Sequence, residues 1–128
     1  MPLRVLTRVP LALLHSGAVH SVTIDDVDRS VHILVQSFQG VVRAWINRCP
    51  HWRLRLDSQS GRVELDQDEL VCDSHGARFH PVTGLCTSGP CQGASLRPLV
   101  VVPVHAAVDI CEPAALTASQ TLSLRRNS

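Results

Sequence analysis

Val41-Val-Arg-Ala-Trp-Ile-Asn-Arg-Cys-Pro-His51 is the stretch on which the architecture turns. Val42, Ala44 and Ile46 fall on one face and Arg43 and Asn47 on the other, the period of two that marks a strand with one face in a core. Trp45 breaks the polar face. On the N-terminal side, Val31-His-Ile-Leu-Val35 and Val19-His-Ser-Val-Thr-Ile24 are equally rich in β-branched residues, and Gln39-Gly40 and Asp25-Asp26-Val27-Asp28 between them are turn chemistry. An antiparallel meander follows. On the C-terminal side, Arg62-Val-Glu-Leu65 and Glu69-Leu-Val-Cys72 flank the acidic turn Asp66-Gln-Asp68. Leu96 to Val104 reads as a buried strand whose pairing Pro98 and Pro103 limit, and Val108-Asp-Ile110 as the last strand. Nothing before Glu112 shows helical periodicity with caps, so the fold class expected is all-β. No internal repeat is visible.

The chain has 128 residues, enough for one core. Hydrophobic residues make up 45% and charged ones 18%, which excludes the disordered class. Residues 1–112 are expected to form the domain. Residues 113–128, rich in Ala, Ser and Thr and ending in Arg125-Arg126, are expected to be a short helix or loose tail. A formal net charge of +1 gives no global attraction to nucleic acid or anionic lipid, so neither partner is expected. All twelve basic residues are Arg. The apolar run Leu11-Ala-Leu-Leu14 is too short for a signal-peptide core or a membrane span. The expectation is a cytoplasmic protein. There, five cysteines, an odd number, suit metal ligation or burial better than a disulfide framework.

Two short segments each offer one thiol and one imidazole: Cys49-Pro-His51 and Cys72-Asp-Ser-His75. A structural zinc site accepts two Cys and two His but usually draws like ligands from each half of its motif. Here each half is mixed, which suits two metals close together, each segment giving its Cys to one iron and its His to the other. That is the ligand set of the Rieske [2Fe–2S] centre. The remaining alternatives are zinc, and two buried thiols and two surface histidines that are neighbours only in sequence.

From Val41 to Leu99 the chain resembles a Rieske-type ferredoxin domain. Leu54 and Leu56 stand where the family places apolar residues after its first ligand loop. His75-Gly76 is followed by Ala77-Arg78-Phe79, Thr83-Gly84 and Ser88-Gly89-Pro90, which resemble the family's second loop, its aromatic anchor, a turn and the proline loop covering the cluster. The resemblance implies an antiparallel β-sandwich with a small cluster-binding subdomain of two loops. It also implies one [2Fe–2S] cluster per chain on Cys49, His51, Cys72 and His75, with the His-ligated iron nearer solvent. Without the cofactor, two sulfurs and two ring nitrogens should still converge on one small volume. High-potential relatives bridge their ligand loops with two further cysteines, where this chain has Leu54 and Ser74, and follow their His-Gly with a hydroxyl residue, where it has Ala77. A potential near the low end of the family is implied. Arg53 stands where many relatives have Gly.

The function implied is one-electron transfer, not catalysis, from a flavoprotein reductase to a terminal oxygenase or other acceptor. A terminal oxygenase would need a second, larger domain with a non-haem iron, and too few residues follow Leu99 to build one. The alternative is an accessory subunit or redox sensor without a turnover role. Partners are expected to dock around His51 and His75, with Trp52, Pro90 and His80 at the rim and the acidic segment Glu64 to Glu69 steering a basic partner. Cys86 and Cys91 frame the proline loop and are expected to pack as small apolar groups, Cys111 to lie in the core.

Overall fold

A computed structural model describes residues 2–25, 27–50 and 53–113. Its strands, in chain order, are β1 (Leu3–Pro10), β2 (His20–Asp25), β3 (Ser30–Phe38), β4 (Val41–Ile46), β5 (Glu64–Asp66), β6 (Glu69–Val71), β7 (Arg78–Phe79), β8 (Cys86–Ser88), β9 (Pro98–Val104) and β10 (Ala107–Pro113). A 3-10 turn at Leu11–Leu14 is the one helical element among the described residues, and no helix there is long and apolar enough to cross a membrane. The all-β expectation is met. The expected C-terminal tail lies outside the described residues, apart from Pro113 at the end of β10.

Six strands form an antiparallel sheet in the order β1-β10-β9-β4-β3-β2 and the short β5-β6-β7-β8 form a second. The expected meander is β2-β3-β4, with Thr23 opposite His32 and Val35 opposite Ala44. β9 joins its halves: Leu99 and Pro98 pair with Ala44 and Trp45, and Val100 to Val104 pair with β10. The expectation of a buried β9 is not met, because its residues alternate between half-buried and exposed. Its two prolines are accommodated where the strand pairs on one side only.

The anomaly at Trp45 has a structural reason. The opposite face of β4 is not solvated but packs on a second core. Ile33, Val35 and Ala44 belong to the core of the six-stranded sheet, with Val108 and Ile110 of β10. Leu34 and Trp45 point the other way, into a cluster with Leu56, Leu70, Phe79 and Leu96. β3, and β4 at Ala44 and Trp45, are therefore buried on both faces, and the second core seats the small sheet and its loops on the large one.

Candidate metal centre

β4 delivers the chain into the first loop, and Asn47 holds that loop closed. Its side chain is 4% exposed. Its Oδ1 accepts the Leu56 N–H at 2.8 Å and its Nδ2 donates to Asp57 Oδ1 at 3.0 Å, so one amide fixes both ends of residues 47–57. Inside, the Cys49 N–H donates to the Leu54 carbonyl at 2.7 Å and the Arg53 N–H to the Cys49 carbonyl at 2.8 Å.

The second loop, between β6 and β7, repeats this clasp. The Cys72 N–H donates to the Ala77 carbonyl at 2.8 Å and the Gly76 N–H to the Cys72 carbonyl at 2.9 Å. In each loop a cysteine bonds to the residue five positions on and is bonded by the residue four positions on. The shared geometry needs a left-handed residue at that fourth position: Gly76 has φ +71° and Arg53 has φ +57°. Arg53 thus adopts a left-handed, glycine-like conformation, at a strain of about 1–2 kcal/mol. The repeat is one of backbone hydrogen bonds, invisible as a repeat of letters.

Five hydrogen bonds tie the loops together. The Asp73 N–H donates to the Leu56 carbonyl at 2.9 Å, and the hydroxyls of Ser58 and Ser74 lie 2.7 Å apart. Asp73 Oδ2 accepts the N–H groups of Gln59 at 3.0 Å and Ser60 at 2.7 Å and the Ser60 hydroxyl at 2.9 Å. Burial alone would raise the Asp73 carboxyl, but these donors, with the Ser74 hydroxyl, outweigh it and hold its pKa below the usual range. Ser74 is part of this polar tie through its hydroxyl.

Cys49 and Cys72 are 0% and 1% exposed and lie in the same buried cluster, whereas His75 is exposed. Burial pushes the Cys72 thiol up, while the backbone N–H groups of Ser74 and His75 bonded to its sulfur oppose that rise. Such N–H donors are what a thiolate ligand needs in a buried setting. His51 and Trp52 lie outside the described residues. Among the described residues no three His, Cys, Asp or Glu gather as a site for one metal ion. Of the four expected donors, the thiols of Cys49 and Cys72 share one core, and His51 lies outside the described residues.

The proline loop packs over this region. An added Cβ at Gly89 would lie 2.8 Å from Ala77 Cα, so the loop touches the backbone of the second ligand loop. Beneath it, Cys91 Sγ lies 2.9 Å from Cys86 Sγ and 4.0 Å from Cys49 Sγ, and the Cys86 thiol donates to the Ser88 carbonyl at 3.2 Å. All five cysteines are free and buried, Cys111 at the sheet. The expected packing role of Cys86 and Cys91 is met, and the contact of Cys91 with a candidate ligand is new. Of the expected rim, Pro90 and His80 are exposed, but His80 also closes a turn: its Nδ1 accepts the Val82 N–H at 3.0 Å. The acidic turn is partly neutralised. Arg78 bonds Asp66 and Glu69, each at 2.9 Å, and the Thr87 hydroxyl, followed by Arg78, holds the Glu69 carboxyl below its ordinary pKa.

The fold is that of solved ferredoxins. The ferredoxin of carbazole 1,9a-dioxygenase from Nocardioides aromaticivorans IC177 is 24% identical over 84% of this chain and 97% of its own, with a TM-score of 0.65. The Sphingomonas yanoikuyae B1 ferredoxin is 22% identical over 86% of this chain and all (100%) of its own, also at 0.65. The terminal oxygenase of carbazole 1,9a-dioxygenase from Novosphingobium sp. KA1 is 20% identical over 86% of this chain but 28% of its own, at 0.57. No curated protein matches. The family model described as the Rieske [2Fe-2S] domain matches residues 9–112, and the chain belongs to that family. Its cofactor is accordingly one [2Fe–2S] cluster per chain. Two buried thiols on clasped, mutually tied loops, one with N–H groups on its sulfur, fit that group.

Proposed function

We propose that Cys49, His51, Cys72 and His75 hold the cluster, and that the protein carries single electrons from a flavoprotein reductase to a terminal oxygenase or other acceptor. The observation that carries this reading is the repeated clasp, which sets Cys49 and Cys72 in one buried core while His75 stays at the surface. When bound, the cluster supplies one-electron chemistry, with the electron favoured on the iron bearing neutral imidazoles. The chain's own residues do the rest. Buried Cys49 and Cys72 keep the thiolate side from water. The N–H groups of Ser74 and His75 stabilise negative charge on the Cys72 sulfur. The Asn47 and Asp73 ties hold both loops rigid, so little reorganisation accompanies a change of charge. Exposed His75 faces the side from which a partner approaches. The fold's likeness to a ferredoxin named as that of a dioxygenase supports the carrier role.

Iron and acid-labile sulfide analysis, with visible and electron paramagnetic resonance spectra, tests the ligand set. Equal iron and sulfide with a Rieske signal is expected, lost in Cys72→Ser and in His75→Ala. Full iron with an unchanged signal in His75→Ala refutes the assignment, and a colourless zinc protein refutes the cluster. Stopped-flow reoxidation of the reduced protein by a purified terminal oxygenase distinguishes a carrier from a sensor, which would exchange electrons too slowly for turnover.

A further inference from the structure

The first ligand loop borders a concavity of about 340 Å³ into which five arginines converge: Arg29, Arg48, Arg53, Arg55 and Arg97. That is five of the chain's twelve basic residues on one wall of a protein whose net charge is +1. All five are exposed. Arg29 is neutralised by the buried Glu112 at 2.8 Å, and Arg55 lies 3.7 Å from Asp57. Arg48, Arg53 and Arg97 have no carboxylate partner among the described residues. A guanidinium stays charged at any pH the protein meets, so the positive potential here is permanent.

The groove runs toward the site. A second concavity of about 250 Å³ shares Ile46, Arg48, Arg53 and Arg97 with the first and is floored by Cys49 and Pro50. The other side of the site has the opposite character. A concavity of about 540 Å³ against Cys72 and Gly76 is walled by Glu64, Asp66 and Asp73, with Arg78 as its one cation. The surface around the two loops is therefore polarised, positive at the first and negative at the second.

We propose that the arginine groove docks an acidic surface of a protein redox partner, bringing it against the first ligand loop. Two continuous concavities reaching from Arg29 to Pro50 offer guanidinium groups to several carboxylates at once, which a single small oxyanion cannot span. Arg48, Arg53 and Arg97 have no carboxylate partner among the described residues, so the groove keeps a positive charge of its own with which to attract carboxylates. That the partner exchanges electrons rests on the carrier reading above; that the groove binds carboxylates does not.

The test is fluorescence anisotropy of a labelled oligoglutamate peptide titrated with the full chain, in which no electron moves. Binding that weakens with added salt is expected, and is expected to be at least about tenfold weaker in Arg48→Glu/Arg97→Glu and intermediate in Arg48→Gln/Arg97→Gln. Arg62→Glu, an exposed site away from the groove, should bind as the parent does. Circular dichroism checks that each variant is folded. Equal binding by the parent and the double charge reversal overturns the proposal. So does inorganic phosphate that displaces the peptide where chloride of equal ionic strength does not, which would make the groove a small-anion site. Tighter binding of a single-stranded oligonucleotide of equal charge also overturns it. Loss of the Rieske spectrum in His75→Ala with peptide binding retained separates this outcome from the fate of the ligand assignment.

Discussion

Gly89→Ala should detach the proline loop from the second ligand loop, and Gly93→Ala shows how much of its effect is mere backbone strain. Both glycines have positive φ, +104° and +95°. An alanine at either is strained by about 1–2 kcal/mol and gains back part of that through a less flexible unfolded chain. These contributions are nearly common to the two variants. The space around them differs. At Gly93 an added Cβ meets nothing within 4 Å, whereas at Gly89 it would lie 2.8 Å from Ala77 Cα and 3.3 Å from Ala77 Cβ. The obstacle is mostly backbone, held by the Cys72 N–H bond to the Ala77 carbonyl, and cannot swing away as a side-chain tip would. Overpacking of that kind costs about 1–3 kcal/mol. Gly89→Ala should therefore be less stable than Gly93→Ala by about 2 kcal/mol, a midpoint shift of roughly 1 M in urea for a domain of this size. Urea unfolding followed by circular dichroism measures that gap, and bleaching of the visible bands shows whether the cluster is released earlier. Ala77→Gly in the Gly89→Ala background should restore only part of the loss, because the main chain at position 77 still stands in the way. Equal midpoints for the two single variants would refute the tight seating of the proline loop on Ala77.

Asp73 has a depressed pKa in the folded protein, so its tie is complete above the unfolded carboxylate pKa of about 3.9 and is lost as pH falls through the folded value. Asp73→Asn should be less stable than the parent at neutral pH and lose less stability on acidification, as urea titrations at pH values on either side of that range would show. Arg53→Gly should be stabilising by up to about 1 kcal/mol, because relief of left-handed strain exceeds the added freedom of the unfolded chain; a lower thermal midpoint would contradict it. Direct voltammetry should place the midpoint potential near the low end of the Rieske span, about −150 mV, since Ser74 bonds a serine hydroxyl rather than forming a bridge and Ala77 offers no hydroxyl; a value well above zero is the contrary result.

The meander from His20 to Ile46 was legible because β-branched residues alternate there and Gly and Asp mark its turns. Where reading failed, a physical cause is visible. β1 was missed because a bulge between Val5 and Thr7 shifts its register, which breaks the alternation that periodicity detects. β7 and β8, with two and three residues, are too short for an alternation of two to repeat. Trp45 reads as an anomaly in sequence, since a strand buried on both faces cannot be told from an irregular one without the second core in view. At the site, the Cys-His spacing and the His-Gly to Gly-Pro pattern carried the family, and the family model agrees. The arginine groove was illegible: Arg29, Arg48, Arg53, Arg55 and Arg97 come from three separate parts of the chain, so no run of charge betrays them. The acidic turn does form a run of charge, while Arg78, which pairs with it, sits a strand away.

Leu3 pairs with Pro113 across β1 and β10, so the start of the first strand and the end of the last lie about 5 Å apart on one rim of the large sheet. Both candidate ligand loops and the proline loop are strung between β4 and β9, and none of them uses those terminal strands. The unit is thus topologically portable. A host polypeptide can accept it at a surface turn as it would a short insertion, with the metal-binding half left untouched. The presence of the same fold as a minor portion of a terminal oxygenase chain is what such portability allows.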